Sequence, residues 1–184
     1  MLLYFSSGAL FIPIQFFRWR RYMKNYRISS VQPDNLPMCL DTIHRAFKLN
    51  CDRFGFTKEN YPTCAAFMTL EDLKKAKESG THIYAVWVDS RIAGCVQLKR
   101  HENDVYWLRR FAVLPEYQNL GFGKELISFC KHKAIEYGGK KIQLLMVYEN
   151  EQLRNLYTSC GFVLKETRRD DEHPFLCGIY EMDL

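Results

Sequence analysis

The sequence predicts an α/β fold: a mixed, mainly antiparallel central sheet of about six or seven strands flanked by helices. Two observations carry this. From Lys24 onward the apolar residues switch between period two and period 3.6, in the order strand, helices, three strands, helix, strand, helix, two strands. The three runs in the middle, THIYAVWV, RIAGCVQLKR and DVYWLRRFAV, are joined by short turns at Asp89 and Ser90 and at Glu102 and Asn103, a spacing that makes antiparallel neighbours.

The elements follow in order. Residues 25–31 read as a first strand, ended by Gln32, Pro33 and Asp34. Leu36, Leu40, Ile43 and Phe47 recur at helical spacing, so a first helix is expected to about Leu49. Residues 50–68, with Gly55, Pro62 and mixed aromatics, are expected to be irregular apart from a short helix. Thr69 and Asp72 form a capping-box pattern before LEDLKKAKES, and Gly80 stops that helix. After the meander, a helix carries Leu126, Ile127, Cys130, Ala134 and Tyr137 on one side and ends at Gly138 and Gly139. KKIQLLMV is apolar enough to lie inside the sheet, residues 150–160 suit a short helix, and GFVLKETRR with PFLCGIYEMDL forms a closing hairpin.

At 184 residues the chain fits one domain. We read residues 23–184 as that domain and residues 1–22 as an extension upstream of a start at Met23. The alternatives for MLLYFSSGALFIPIQFFRWRR are a segment docked on the domain or a partner, and a membrane anchor. Its apolar run of about 17 residues is short for a span and is broken by Pro13 and Gln15, and its basic cluster follows the run where a signal peptide has it in front. Three of the 26 basic residues, Arg18, Arg20 and Arg21, lie there; the rest is 23 basic against 21 acidic residues, no charge signature for nucleic acid. Seven widely spaced cysteines, without a CxxC pair or zinc-finger spacing, suggest free thiols in a reducing, cytoplasmic setting and no metal site.

The stretch VLPEYQNLGFGKELI joins the third strand of the meander to the next helix. A P-loop requires Ser or Thr after Gly-Lys, and here Glu125 follows Lys124; the dinucleotide fingerprint fails because Leu126 replaces its third glycine. By physics the turn is still an anion site. Amides at a helix start have no carbonyl four residues back, the helix dipole favours negative charge, and glycines at 121 and 123 bare the backbone to phosphate oxygens. The competing reading is a glycine turn that only lets helix and sheet pack closely.

PEYQNLGFGKELI closely resembles the signature of the GNAT superfamily of acyl-CoA N-acyltransferases: Gln118, two spacers, Gly121, any residue, Gly123, after a strand ending in valine. NEQLRNLYTSCGF is similar to a second family pattern through Asn150, Leu156, Tyr157, Gly161 and Phe162, and the order of elements resembles the family's from Lys24 to the end. The resemblance implies a sheet splayed between its fourth and fifth strands, with acetyl-CoA wedged in the opening. It places the main chain of Phe111, Ala112 and Val113 against the pantetheine arm. Gln118, Asn119, Leu120, Gly121, Phe122, Gly123 and Lys124 would hold the diphosphate, with Asn150 and Tyr157 also facing the cofactor.

The function it implies is an N-acetyltransferase acting on a primary amine of a small or amino-acid-like molecule, as monomer or homodimer, with Tyr157 protonating the departing thiolate. The alternative is a regulatory module that binds acyl-CoA without turnover. An amine with a pKa of about 10.4 is neutral in only about one molecule in 10³ to 10⁴ at pH 7, so a base is needed. Residues 106–114 hold no acid, which leaves Glu149, His173 or an ordered water. The mixed-sign loop RRDDEHPF and the residues Tyr61, Pro62, Thr63 and Phe67 are candidate walls of an acceptor site.

Overall fold

The computed structural model describes residues 26–184. Residues 1–25 lie outside the described residues, and with them the expected extension, the start at Met23 and the first residue of the first strand. The elements run β1 (Tyr26–Ser30), α1 (Leu36–Phe54), α2 (Leu70–Glu78), β2 (His82–Val88), β3 (Arg91–Arg100), β4 (Val105–Val113), α3 (Phe122–Glu136), β5 (Lys141–Val147), α4 (Glu151–Ser159), β6 (Val163–Arg168) and β7 (Cys177–Asp183). The strands form one sheet in the order β1-β2-β3-β4-β5-β7-β6. Every pair is antiparallel except β4 with β5, which is parallel. Among the described residues no helix is long and apolar enough to cross a membrane.

Helices cover both faces of the sheet, which is why β2 and β3 are buried almost throughout. On one face Leu126, Ile127, Cys130 and Ala134 of α3 share a core with Tyr84, Val86, Val96, Leu98 and Tyr106. On the other, Leu36, Cys39 and Ile43 of α1 and Leu73 of α2 meet Ile83, Ala85, Ile92, Cys95 and Ala112. Each fully buried Leu or Ile contributes about 1.5–3 kcal/mol. The Thr69 box is formed in both directions: the Thr69 hydroxyl accepts from the Asp72 amide, and the Asp72 carboxylate accepts from the Thr69 amide. All seven cysteines are unpaired.

One boundary differs from expectation. α1 does not stop at Leu49 but continues to Phe54, where Gly55 at φ 68° caps it and donates to the Cys51 carbonyl. Asn50, Asp52 and Arg53 dilute the apolar period there, yet none of them breaks a helix, and Gly55 is the first residue that does.

The splay between β4 and β5 follows from a bulge. The two strands pair only where Val105, Tyr106 and Trp107 meet Lys141, Ile142 and Gln143. Beyond Trp107 β5 keeps its ladder with β7 as far as Val147, while β4 bends away. Its register with β3 slips between Cys95 and Gln97, opposite Arg110, whose φ of 49° is left-handed. A bulge adds twist to one strand and turns it off its neighbour. Gly94 makes room for this: a Cβ there would lie 2.7 Å from the carbonyl oxygen of Ala112. Gly94→Val is therefore expected to cost about 1–3 kcal/mol in urea unfolding, as overpacked sites do. Unchanged stability would contradict the close approach of β3 to the bulge.

Candidate active site

Where β4 and β5 separate, the sheet opens into two adjoining cavities. The larger, about 770 Å³, runs between the α1 face, the end of β4, the turn before α3 and α4. The smaller, about 460 Å³, lies between the middle of β4, the end of β5, the loop after α1 and the loop before β7. Phe47, Asn50, Phe111, Asn150 and Leu153 line both, so the two spaces communicate.

The larger cavity receives most of the residues expected to bind cofactor: Phe111, Ala112, Val113, Gln118, Asn119, Leu120, Gly121, Gly123, Lys124 and Asn150. The turn is built for an anion by its backbone. Asn119 and Gly121 take left-handed φ of 61° and 88°, and the amides from Asn119 to Lys124 donate to no group among the described residues. Successive amides turned inward at a helix start form an anion cradle. Gly121 is required by its φ, and a Cβ on it would meet nothing within 4 Å. Gly123 answers to packing as well, since its Cβ would come within 3.1 Å of the Phe111 ring. Gly121 is thus required by conformation and Gly123 by packing. Gln118 ties the turn to the strand by donating from Nε2 to the Val113 carbonyl at 3.1 Å. The side chain of Phe122 points to the core against Tyr26 and Tyr117, so only its amide is offered to the cavity side.

Asn150 is a clamp. Its Oδ1 accepts from the Leu153 amide and caps α4, and its Nδ2 donates to Asn50 Oδ1 on α1 at 3.4 Å. One buried side chain therefore fixes the helix that carries Tyr157 and ties it to the opposite wall.

Tyr157 opens onto the smaller cavity, between the rings of Phe111 and Phe162 at 5.7 and 5.6 Å. Burial drives its pKa upward, which keeps the phenol protonated at neutral pH. His173 lines the same cavity and packs on Tyr61 and Phe175. Its Nδ1 lies 2.7 Å from Asp170 Oδ1. That carboxylate also receives the Glu172 amide and Arg168 Nε, and the hydrogen bond from His173 is the chief reason its pKa is lowered. An ionised carboxylate only accepts, so Nδ1 carries the hydrogen. Glu149 is exposed in the turn after β5 and lines neither cavity. Asp170, His173 and Cys177 hold their ligand atoms within 4.8 Å of one another. Burial first, then Asp170, pushes the Cys177 thiol up to about 11, so at neutral pH it is a thiol.

Of the expected acceptor walls, Tyr61, Thr63, Arg168, Glu172 and His173 line the smaller cavity; Pro62, Phe67 and Arg169 do not. Sequence reasoning missed Asn50 and Arg53, because the first helix was ended too early, and Trp107, Arg109 and Arg110, which only the bulge identifies as cavity residues. Arg110 follows Arg109 in a strand with no glycine to betray a bulge.

A model of the acetyltransferase (GNAT) family matches residues 42–162. An uncharacterised N-acetyltransferase from the pepI 3′ region of Lactobacillus delbrueckii subsp. lactis is 30% identical over 170 residues, covering 85% of this chain and 92% of its own length. The N-acetyltransferase YvbK of Bacillus subtilis is 26% identical over 101 residues, 55% of this chain and 63% of its own. Among solved structures, the PaiA N-acetyltransferase of Thermoplasma acidophilum in complex with coenzyme A superposes with a TM-score of 0.75 at 17% identity, covering 87% of this chain and 99% of that one. A GNAT acetyltransferase of Elizabethkingia anophelis with acetyl-CoA bound gives 0.68 at 18% identity over 88% and 99%. At these identities the superpositions speak for the fold.

Proposed function

The chain belongs to the GNAT family of acetyltransferases, and on that basis we propose that it moves an acetyl group from acetyl-CoA to the primary amine of a small or amino-acid-like acceptor, with Tyr157 as general acid. The observation that carries this reading is the joining of an amide-lined anion turn to a cavity that holds a protonated tyrosine and a carboxylate-supported histidine.

The residues divide the work as follows. The amides of residues 119–124, which have no partner among the described residues, the α3 dipole and Lys124 suit a diphosphate, and the β4 edge beyond Trp107 offers main-chain groups to an extended pantetheine arm. Acetyl-CoA supplies the activated acyl group as a thioester. His173 Nε2 takes the proton of the incoming ammonium, and Asp170 positions the ring and steadies the imidazolium. The amine nitrogen attacks the thioester carbonyl, the new C–N bond forms and the C–S bond breaks, Tyr157 gives its hydroxyl proton to the departing sulfur, and the second proton shed by the nitrogen restores the phenol. Of the two side chains considered for the base, His173 is favoured because it shares a cavity with Tyr157 while Glu149 does not.

Continuous measurement of CoA thiol release over a panel of amines tests the proposal. Tyr157→Phe is expected to lower kcat roughly 10²- to 10⁴-fold with acetyl-CoA affinity retained; undiminished turnover rejects the acid role. His173→Gln is expected to lose a comparable factor in kcat. Asp170→Asn should lower kcat while leaving KM for acetyl-CoA within about twofold, as expected of a residue that acts through His173. Tight acetyl-CoA binding with no thiol release over any amine would favour the non-catalytic module instead.

A further inference from the structure

Among the described residues no carboxylate pairs with the charge of Arg110. The residue sits at the bulge in β4 with φ 49°, a left-handed conformation that strains a non-glycine residue. This backbone places its half-buried side chain in the wall of the smaller cavity, where it makes one weak hydrogen bond, from Nη2 to the Thr63 carbonyl at 3.3 Å. Among the described residues it has no carboxylate within ion-pair distance, and neither does its neighbour Arg109. The third arginine of the cavity, Arg168, is held by Asp170. Asp72, the acid that acts on Arg110 from farther away, is engaged by the Thr69 amide and hydroxyl. Burial, and then Arg109, disfavour the charge on Arg110, yet a guanidinium does not discharge at neutral pH. A strained, desolvated arginine with no anion of its own is stabilised when a ligand brings one.

The remaining wall limits what that ligand is. Phe47, Phe56, Tyr61, Trp107 and Phe175 make it largely aromatic. Among the described residues the buried Nε1 of Trp107 has no hydrogen-bond partner. Glu172 and His173 lie on the loop before β7, where a positive group is welcome and a dianion is not. We propose that the acceptor is an amine that also bears a carboxylate and an apolar or aromatic body, such as an apolar amino acid, and that Arg110 is the residue that selects the carboxylate. This rests on the acetyltransferase reading of the same site and deepens it. The planar fork of the guanidinium matches the two oxygens of a carboxylate, and Arg109 adds charge at the mouth.

The test compares apolar L-amino acids with their carboxamides and with the corresponding decarboxylated amines, on the wild type and on Arg110→Gly and Arg110→Lys. Glycine accepts the left-handed φ without strain, so the Gly variant removes the guanidinium and leaves the bulge intact; its melting temperature checks that it folds. Calorimetric binding to the CoA-saturated protein is measured beside thiol release from acetyl-CoA. The expected result is that the acid binds, and that its kcat/KM exceeds that of its amide by roughly 10²-fold or more, because the amide leaves the guanidinium unpaired. In Arg110→Gly that preference should fall to near unity, with Arg110→Lys in between. Equal use of acid and amide by the wild type overturns the carboxylate site and leaves the acetyltransferase standing. So does turnover of other amines, such as polyamines or peptide N-termini, with no binding of amino acids. Absence of both amino-acid binding and thiol release over every amine overturns both readings.

Discussion

Beyond Trp107, β4 has lost its neighbour β5, and the main-chain donors and acceptors along that edge have no ladder to satisfy them. The rest of the site is arranged around this separation. The bulge opposite Val96 turns β4 away, α4 and the end of β5 form the far wall of the opening, and the turn that begins α3 closes its lower end with a row of amides that find no partner among the described residues. A sheet edge and a helix start, each costly to bury unpaired, are left facing the same space. An extended, anionic molecule satisfies both at once.

The position of that opening also decides where chemistry takes place. Phe111 lies at the join of the two cavities, with the anion turn on one side and Tyr157 against its ring on the other. Asn150 sets the geometry of the join by capping α4 and bonding to Asn50 across the gap. The charges are separated along it: amides and Lys124 line the larger cavity, the guanidinium of Arg110 lies in the wall of the smaller one, and the His173–Asp170 pair sits on the loop before β7. β4 carries no carboxylate in its middle, and in the proposed mechanism His173, held from another loop, serves as the base.

Much of this was legible in the sequence because it depends on local rules. The meander, the interior place of β5, the Thr69 box and the helix opening at QNLGFGK each follow from patterns a few residues long. The end of α1 was not legible, because polar residues hid a helix that nothing interrupted before Gly55, and Asn50 and Arg53 were lost from the site with it. The bulge at Arg110 was not legible for a different reason. It is imposed by the close approach of Gly94 and the register of β3 on β4, a relation between residues far apart in the chain. The ranking of His173 over Glu149 likewise depends on which loop folds over the cavity, and periodicity says nothing about that.

The central claim is that the splayed edge of β4 and the amide turn before α3 together hold acetyl-CoA. Calorimetric titration of acetyl-CoA into the wild type and into a folded Gly121→Asp, Gly123→Asp double variant tests it most directly. The account predicts saturable one-to-one binding by the wild type, and loss of that binding when two carboxylates are placed in the path of the diphosphate. Equal binding by both proteins, or no binding of acetyl-CoA, CoA or a longer acyl-CoA by the folded wild type, would contradict it.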